Sequence, residues 1–163
     1  MDSNLMQIIQ TIYNSCAFEI SHFKLEQESK KYDACRFKLN GLNIISRSAQ
    51  ITPKKIGQFV TCWKRIDKEP IKPFEEKDLF DFYVVNVQTE NNIGQFVFPK
   101  SVLIEKGIVS TDKKEGKRAF RVYPNWDIPE NKQAKRSQKW QLNYFYEINN
   151  STNFKNVAEF YKP

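Results

Sequence analysis

The chain has 163 residues, of which 14% are aromatic, and a formal net charge of +7. This length and composition favour one folded domain over residues 1–163 and exclude a disordered basic tail. No stretch approaches the ~20 apolar residues of a membrane span, and the first residues lack the basic and then apolar pattern of a secretory signal. Three widely spaced cysteines argue against a disulfide framework. We predict a cytoplasmic protein with reduced thiols and no membrane association.

The first segment has the spacing of an amphipathic helix. Apolar residues recur every three or four positions over 5–16, and Asp2 or Ser3 is a candidate N-cap. Next, two runs of strand-forming residues at 35–46 flank Asn40-Gly41, a dipeptide typical of tight hairpins. The sequence therefore begins with a predicted helix and a predicted hairpin.

The middle of the chain contains four more candidate strands. They are residues 58–64, 82–88, 93–98 and 117–123. The run 82–88 is rich in β-forming residues throughout, which is typical of a central strand. The acidic stretch 66–81 contains two prolines and is interpreted as a connector within the domain. Pro99 and Gly107 are expected to bracket a short helix.

The C-terminal part is predicted to contain a long helix. Asp127 and Glu130 have the spacing of a capping box, and the helix is expected to run to about Ile148. Together the segments favour an α/β domain, with α+β as the alternative, built on a mixed central sheet of about five strands. The N-terminal helix and the long C-terminal helix are expected to pack on that sheet.

Charge is distributed unevenly along the chain. Residues 47–65, the first basic island, carry five basic side chains and no acidic one. Residues 100–139, the second basic island, carry eleven basic and five acidic side chains, whereas 66–99 carry three basic and seven acidic. A surface that is charged only for solubility would intersperse the signs. Two basic islands that contain aromatic residues instead indicate a polyanion partner, most commonly nucleic acid.

The candidate phosphate contacts are basic residues of the two islands, with one aromatic residue for base stacking. They are Arg47, Lys54, Lys55, Lys64, Arg118, Arg121, Trp126, Lys135, Arg136 and Lys139. The last three share one face of the predicted C-terminal helix, for which an ordinary solvated face is the alternative. Trp126 either is exposed in a turn or locks that turn. No helix-turn-helix is apparent, so we predict weakly sequence-specific contacts to the backbone of DNA or RNA, including single strands.

Motifs for catalysis are weak. Several acidic residues stand two positions before a lysine, as in one common nuclease motif, and they include Glu28, Glu75, Asp112 and Glu130. All four fall in polar connectors or at a helix start, and the predicted strand 58–64 has no carboxylate. His22 is the only histidine, and no zinc-binding spacing is present. We predict no catalysis, no metal ion and no other cofactor.

Several strings that occur in one order resemble the MepB family. They are Arg47–Val60, Gly94–Lys100, Lys117–Asp127 and Ser137–Phe145, and the resemblance spans nearly the whole chain. Proteins of this family are small, bacterial and cytosolic, and they are named from a gene beside a multidrug efflux pump. The resemblance implies nucleic-acid binding and a degenerate nuclease-like core, with no catalytic residues to transfer. The alternatives are a metal-dependent nuclease and a small-molecule-binding accessory protein linked to multidrug resistance.

Overall fold

A computed structural model of the protein describes residues 3–163. Its helices are α1 (Ser3–Ser15), α2 (Lys100–Glu105), α3 (Lys132–Gln141) and α4 (Phe154–Phe160). Its strands are β1 (Ile20–Leu25), β2 (Cys35–Leu39), β3 (Leu42–Ser48), β4 (Gln50–Ile51), β5 (Gln58–Thr61), β6 (Trp63–Lys64), β7 (Lys72–Pro73), β8 (Phe82–Gln88), β9 (Ile93–Pro99), β10 (Ala119–Val122) and β11 (Phe145–Glu147). The candidate cap Asp2 lies outside the described residues.

Six strands form the main sheet in the order β1-β2-β3-β8-β9-β11. β3 and β8 run parallel, and the other neighbouring pairs are antiparallel. The α/β class with a mixed central sheet is therefore confirmed, with one strand more than expected. Parallel neighbours need a crossover connection. Residues 49–81 supply it. They contain β4 and β5, which form a small sheet in the order β10-β5-β4, and the ribbon β6-β7.

Alternating side chains of the central strands build two cores, one on each face of the main sheet. In β8, Phe82 and Val84 belong to one core, whereas Tyr83 and Val85 belong to the other, as the period of two in a strand requires. Helices α1 and α4 cover the first face. The small sheet β10-β5-β4 and helix α2 cover the second face. Because β8 is buried on both sides, its sequence is rich in β-forming residues on both faces instead of alternating with polar ones.

The predicted hairpin is present between β2 and β3. Leu39 pairs with Leu42, and Asn40 and Gly41 have φ values of +50° and +81°. These two left-handed conformations are what a two-residue turn needs, and asparagine followed by glycine adopts them at low cost. The helix bracketed by Pro99 and Gly107 is present as α2.

The long helix predicted over 127–148 is wrong at both ends. The N-cap is Asn131, whose Oδ1 accepts a hydrogen bond from the Ala134 backbone N at 2.8 Å. Asp127 therefore does not cap α3. The helix ends at Gln141, and Phe145 enters β11, where it pairs with Phe96 of β9. Residues 145–147 pair with β9 at the edge of the main sheet. This tertiary pairing outweighs the local preference of the sequence for a helix.

Candidate nucleic-acid interface

The loop 52–57 joins β4 to β5 and carries Lys54 and Lys55. Arg121 of β10 holds this loop in place by hydrogen bonds. The Arg121 guanidinium donates hydrogen bonds to Thr52 Oγ1 at 2.6 Å and to the Gly57 carbonyl oxygen at 3.4 Å. Both acceptors are neutral. The hydrogen bonds therefore hold the loop in place while the positive charge of the arginine stays uncompensated.

Tyr123 packs closely against the same loop. Gly57 has a φ of +84°, and a Cβ at this position would lie 2.6 Å from Tyr123 Cε1. A glycine is therefore required both by the left-handed backbone and by the approach of the ring. This contact sets the distance between the loop and the end of β10.

Two glutamines dock α3 on the chain that follows Arg121. Gln141 is 1% exposed, and its Nε2 donates to the Arg121 carbonyl oxygen at 2.9 Å. Its Oε1 accepts a hydrogen bond from the Tyr123 backbone N at 2.9 Å. Gln138 Nε2 donates to the Pro124 carbonyl oxygen at 2.9 Å. The C-terminal half of α3 is thereby held against residues 121–124, and Asn131 and Ala134 at its start line one cavity with Lys54 and Lys55.

Two adjoining cavities, with volumes of about 340 and 320 Å³, lie between the loop, β10 and α3. They share the lining residues Arg121, Tyr123, Asn131 and Ala134, and we call them together the basic groove. The lining includes five cations, which are Lys54, Lys55, Lys106, Lys117 and Arg121. Glu130 is its single carboxylate. Within residues 3–163 none of the five cations pairs with a carboxylate, so the groove is strongly positive.

A ridge of basic residues on α3 leads away from the basic groove. Asn131 lines both cavities, and Lys135 and Lys139 follow one and two helical turns later on the same side. Both lysines and Arg136 are exposed, whereas Ala134 is buried against the rest of the protein. The basic face predicted for this helix is therefore present and faces solvent.

Comparison with known proteins relates the chain to one family. The MepB-like family model matches residues 26–147. A crystal structure of MepB is 34% identical, with a TM-score of 0.80, and the match covers 93% of this chain and 100% of MepB. The chain belongs to the MepB-like family. The residues that line the basic groove all fall inside the region that matches the MepB-like model.

Other comparisons add less to the MepB-like assignment. The structure of a bacterial homing endonuclease has a TM-score of 0.47 and 16% identity over 99% of this chain and 100% of its own. That likeness is too low to carry an argument about activity. No curated protein matches the chain.

Arg47 does not lie at the surface of this MepB-like protein. It is 4% exposed, although it was predicted to contact phosphate. In β3 it lies two residues after Ile45, a residue of the second core, and therefore on the same face of the strand. Arg47 and the basic groove share no cavity.

Lys64 is neutralised by the acidic connector. Its Nζ lies 2.6 Å from Asp78 Oδ1 and 2.9 Å from Glu75 Oε1. Burial opposes the charged form of Lys64, but the hydrogen bonds to the two carboxylates outweigh it and raise the pKa of the lysine. The neighbouring Arg65 pairs with Glu28 at 2.9 Å. The first basic island is thus split, because within residues 3–163 Lys54 and Lys55 form no ion pair, whereas Lys64 and Arg65 are both paired with carboxylates.

Two further predicted contacts are also engaged by the protein itself. Arg118 lies 3.0 Å from Glu115 in an exposed ion pair. Trp126 is half-buried, and its ring lies edge-on to Phe145 with 5.8 Å between centroids. Trp126 therefore packs on the second core, and it is the alternative role, locking the turn before α3, that the structure supports.

The four acidic residues named above for the nuclease motif lie outside the strands. Glu28, Asp112 and Glu130 are exposed, and Glu75 is held by Lys72 and Lys64, whose hydrogen bonds lower its pKa to about 2. In the described part of the chain, no group of three or more histidine, cysteine, aspartate or glutamate side chains could hold a metal ion. Residues 3–163 also contain no helix with the length and hydropathy needed to cross a bilayer.

Three residues that line the basic groove were not among the predicted contacts, namely Lys106, Lys117 and Tyr123. Lys106 follows α2, and its Nζ lies 5.6 Å from the ring centroid of Trp140. Lys117 and Tyr123 flank β10. No local pattern connects these two residues with Lys54 or Lys55, because the pairing of β5 with β10 brings their segments together.

Proposed function

We propose that this protein binds nucleic acid in the basic groove, mainly through the phosphate backbone. The observation that carries the proposal is the convergence of the five cations of the basic groove, which come from three separate parts of the chain and have one carboxylate among them. Cations held together in this way repel one another. A polyanion relieves the repulsion and gains free energy from the release of its counterions.

The lining chemistry supports contacts that depend little on sequence. Lysine and arginine side chains dominate the groove, and such groups position a nucleic acid without reading its bases. Tyr123 offers one ring on which a base can stack. The ridge of Lys135 and Lys139 extends the positive surface for a longer strand. Arg47, Lys64 and Trp126 are not part of the proposed interface, because burial or pairing already engages them.

A cytoplasmic location is part of the proposal. Cys35 and Cys62 are free thiols buried in separate cores, and reduced cysteines are typical of the cytoplasm. Nucleic acid is accessible to a protein in that compartment.

The double replacement of Lys54 and Lys55 by alanine tests the proposed interface. Each phosphate contact contributes about 0.7 to 0.9 to the slope of log affinity against log salt, so the variant should flatten the slope by about 1.4 to 1.8. Fluorescence anisotropy with labelled single-stranded and duplex oligonucleotides over a salt series measures this slope.

The matched control is the double replacement of Lys155 and Lys162 by alanine. It removes the same charge from exposed lysines at α4 and its C-terminal end, on the opposite face of the main sheet, and it should leave the slope unchanged. Equal slopes for the two double variants, or no salt-dependent binding by the unmodified protein, would refute the proposed interface.

A further inference from the structure

Arg47 is a buried cation for which the protein provides no anion. Its Nη1 donates to the Ser46 carbonyl oxygen at 3.0 Å, while its Nε is buried without a hydrogen-bond partner. In residues 3–163 no carboxylate pairs with the guanidinium. Its closest aromatic contact is with Tyr83, whose ring centroid lies 5.9 Å away.

The titratable groups near Arg47 do not supply the missing charge. Burial raises the pKa of the Cys35 thiol to about 11 and that of the Cys62 thiol to about 12. Burial likewise raises the pKa of Tyr83 well above its ordinary value. All three groups are therefore neutral near pH 7. A buried charge without a counterion is costly, so this arrangement calls for an anion from outside.

Arg47 lines a cavity of about 450 Å³ that is open to such an anion. The other cations of the lining are Lys24, Arg36, Lys64 and Arg65, and the carboxylates are Glu26, Glu28 and Asp67. Glu26 and Glu28 are already paired, with Arg36 at 2.7 Å and with Arg65 at 2.9 Å. Arg47 and Lys24 are the lining cations that have no carboxylate partner in residues 3–163, and Asp67 is exposed.

We propose that this cavity is a binding site for a phosphate monoester or inorganic phosphate, with Arg47 as its buried anchor. The guanidinium presents N–H donors in the fork that matches phosphate oxygens. Arg47 and Lys24 are the two lining cations without a carboxylate partner in residues 3–163, and together they match the charge of a dianion. Trp63 also lines the cavity and offers a flat surface for the organic part of an ester. The site shares no lining residue with the basic groove, so it stands independently of the proposed function.

Thermal unfolding with and without added anion tests this site. At a concentration of about five times Kd, inorganic phosphate or adenosine 5′-monophosphate should raise the Tm by about 2 to 4 °C at constant ionic strength. A shift with phosphate alone identifies the free anion as the ligand, and a shift that needs the nucleotide identifies a monoester; either result supports the site. Adenosine without phosphate should have no effect.

Arg47→Met should abolish the shift, because an apolar side chain removes the anchor without leaving a buried charge. Lys24→Met changes an exposed residue, leaves folding intact and should reduce the shift. The Lys54 and Lys55 double variant should keep it in full. No shift in the unmodified protein, an equal shift with adenosine or chloride, or an undiminished shift in both Arg47→Met and Lys24→Met would overturn the proposal.

Discussion

Replacement of Arg121 by alanine is expected to weaken nucleic-acid binding by about ten- to a hundredfold. Arg121 both supplies a charge to the basic groove and fastens the loop that carries Lys54 and Lys55, through its hydrogen bonds to Thr52 and Gly57. Loss of Arg121 should therefore remove one phosphate contact. It should also leave the loop less ordered, which weakens the contacts that Lys54 and Lys55 make. Anisotropy titrations at fixed low salt measure the change in Kd.

Arg121→Lys separates these two contributions. Lysine keeps the charge but lacks the fork that spans Thr52 and Gly57, so the salt slope should stay close to that of the unmodified protein while the Kd rises. Arg118→Ala is the matched control, because Arg118 is already paired with Glu115 in an exposed ion pair, and it should change the Kd by about twofold or less. An equal loss in the Arg118 and Arg121 alanine variants would show that the loop is not held as described.

Gln95→Leu is expected to destabilise the protein by about 3 to 5 kcal/mol, because each orphaned buried polar group costs about 1 to 3 kcal/mol. Gln95 is fully buried in β9, and its Nε2 donates to Asn86 Oδ1 at 2.7 Å and to Tyr13 Oη at 3.2 Å. Its Oε1 accepts hydrogen bonds from the hydroxyls of Tyr146 and Tyr161. This one side chain therefore links α1, the residue that follows α4, and three strands.

Urea denaturation compares Gln95→Leu with Gln7→Leu, the same change at an exposed position of α1. The control should stay within about 0.5 kcal/mol of the unmodified protein. Burial raises the pKa of Tyr13, Tyr146 and Tyr161, so their hydroxyls remain neutral donors at physiological pH and the difference should persist across that range. If Gln95→Leu were as stable as Gln7→Leu, the hydrogen bonds of Gln95 would not stabilise the fold, and the prediction would be wrong.

The elements predicted correctly from the sequence are those with strong local signals. The run 82–88 and the Asn40-Gly41 turn combine β propensity with an unambiguous turn, and both are present as predicted. β1 escaped prediction because most of its side chains are exposed and its pairing is irregular around His22, which has a φ of +55°. The three-residue β11 forms only because β9 offers an edge.

Only some residues of the candidate site could be predicted, because local sequence does not show which charged side chains the fold will bury or pair. The uneven charge along the chain identified Lys54, Lys55 and Arg121, and these three side chains have no carboxylate partner in residues 3–163. Arg47 could have been excluded from the predicted surface contacts, because it lies on the same strand face as Ile45, a residue of the second core. Lys64 pairs with Glu75 and Asp78 of the acidic connector that follows the first basic island, and no local pattern shows that the connector folds back on this lysine.

Amide chemical shifts of the isotope-labelled protein, followed as a single-stranded oligonucleotide is added at low salt, test the central claim most directly. Binding in the basic groove predicts that the largest changes occur in the loop 52–57, in residues 117–123 and in residues 131–139. Changes confined to α1 and α4, on the opposite face of the main sheet, would contradict the account. The absence of any change at low salt would contradict it equally.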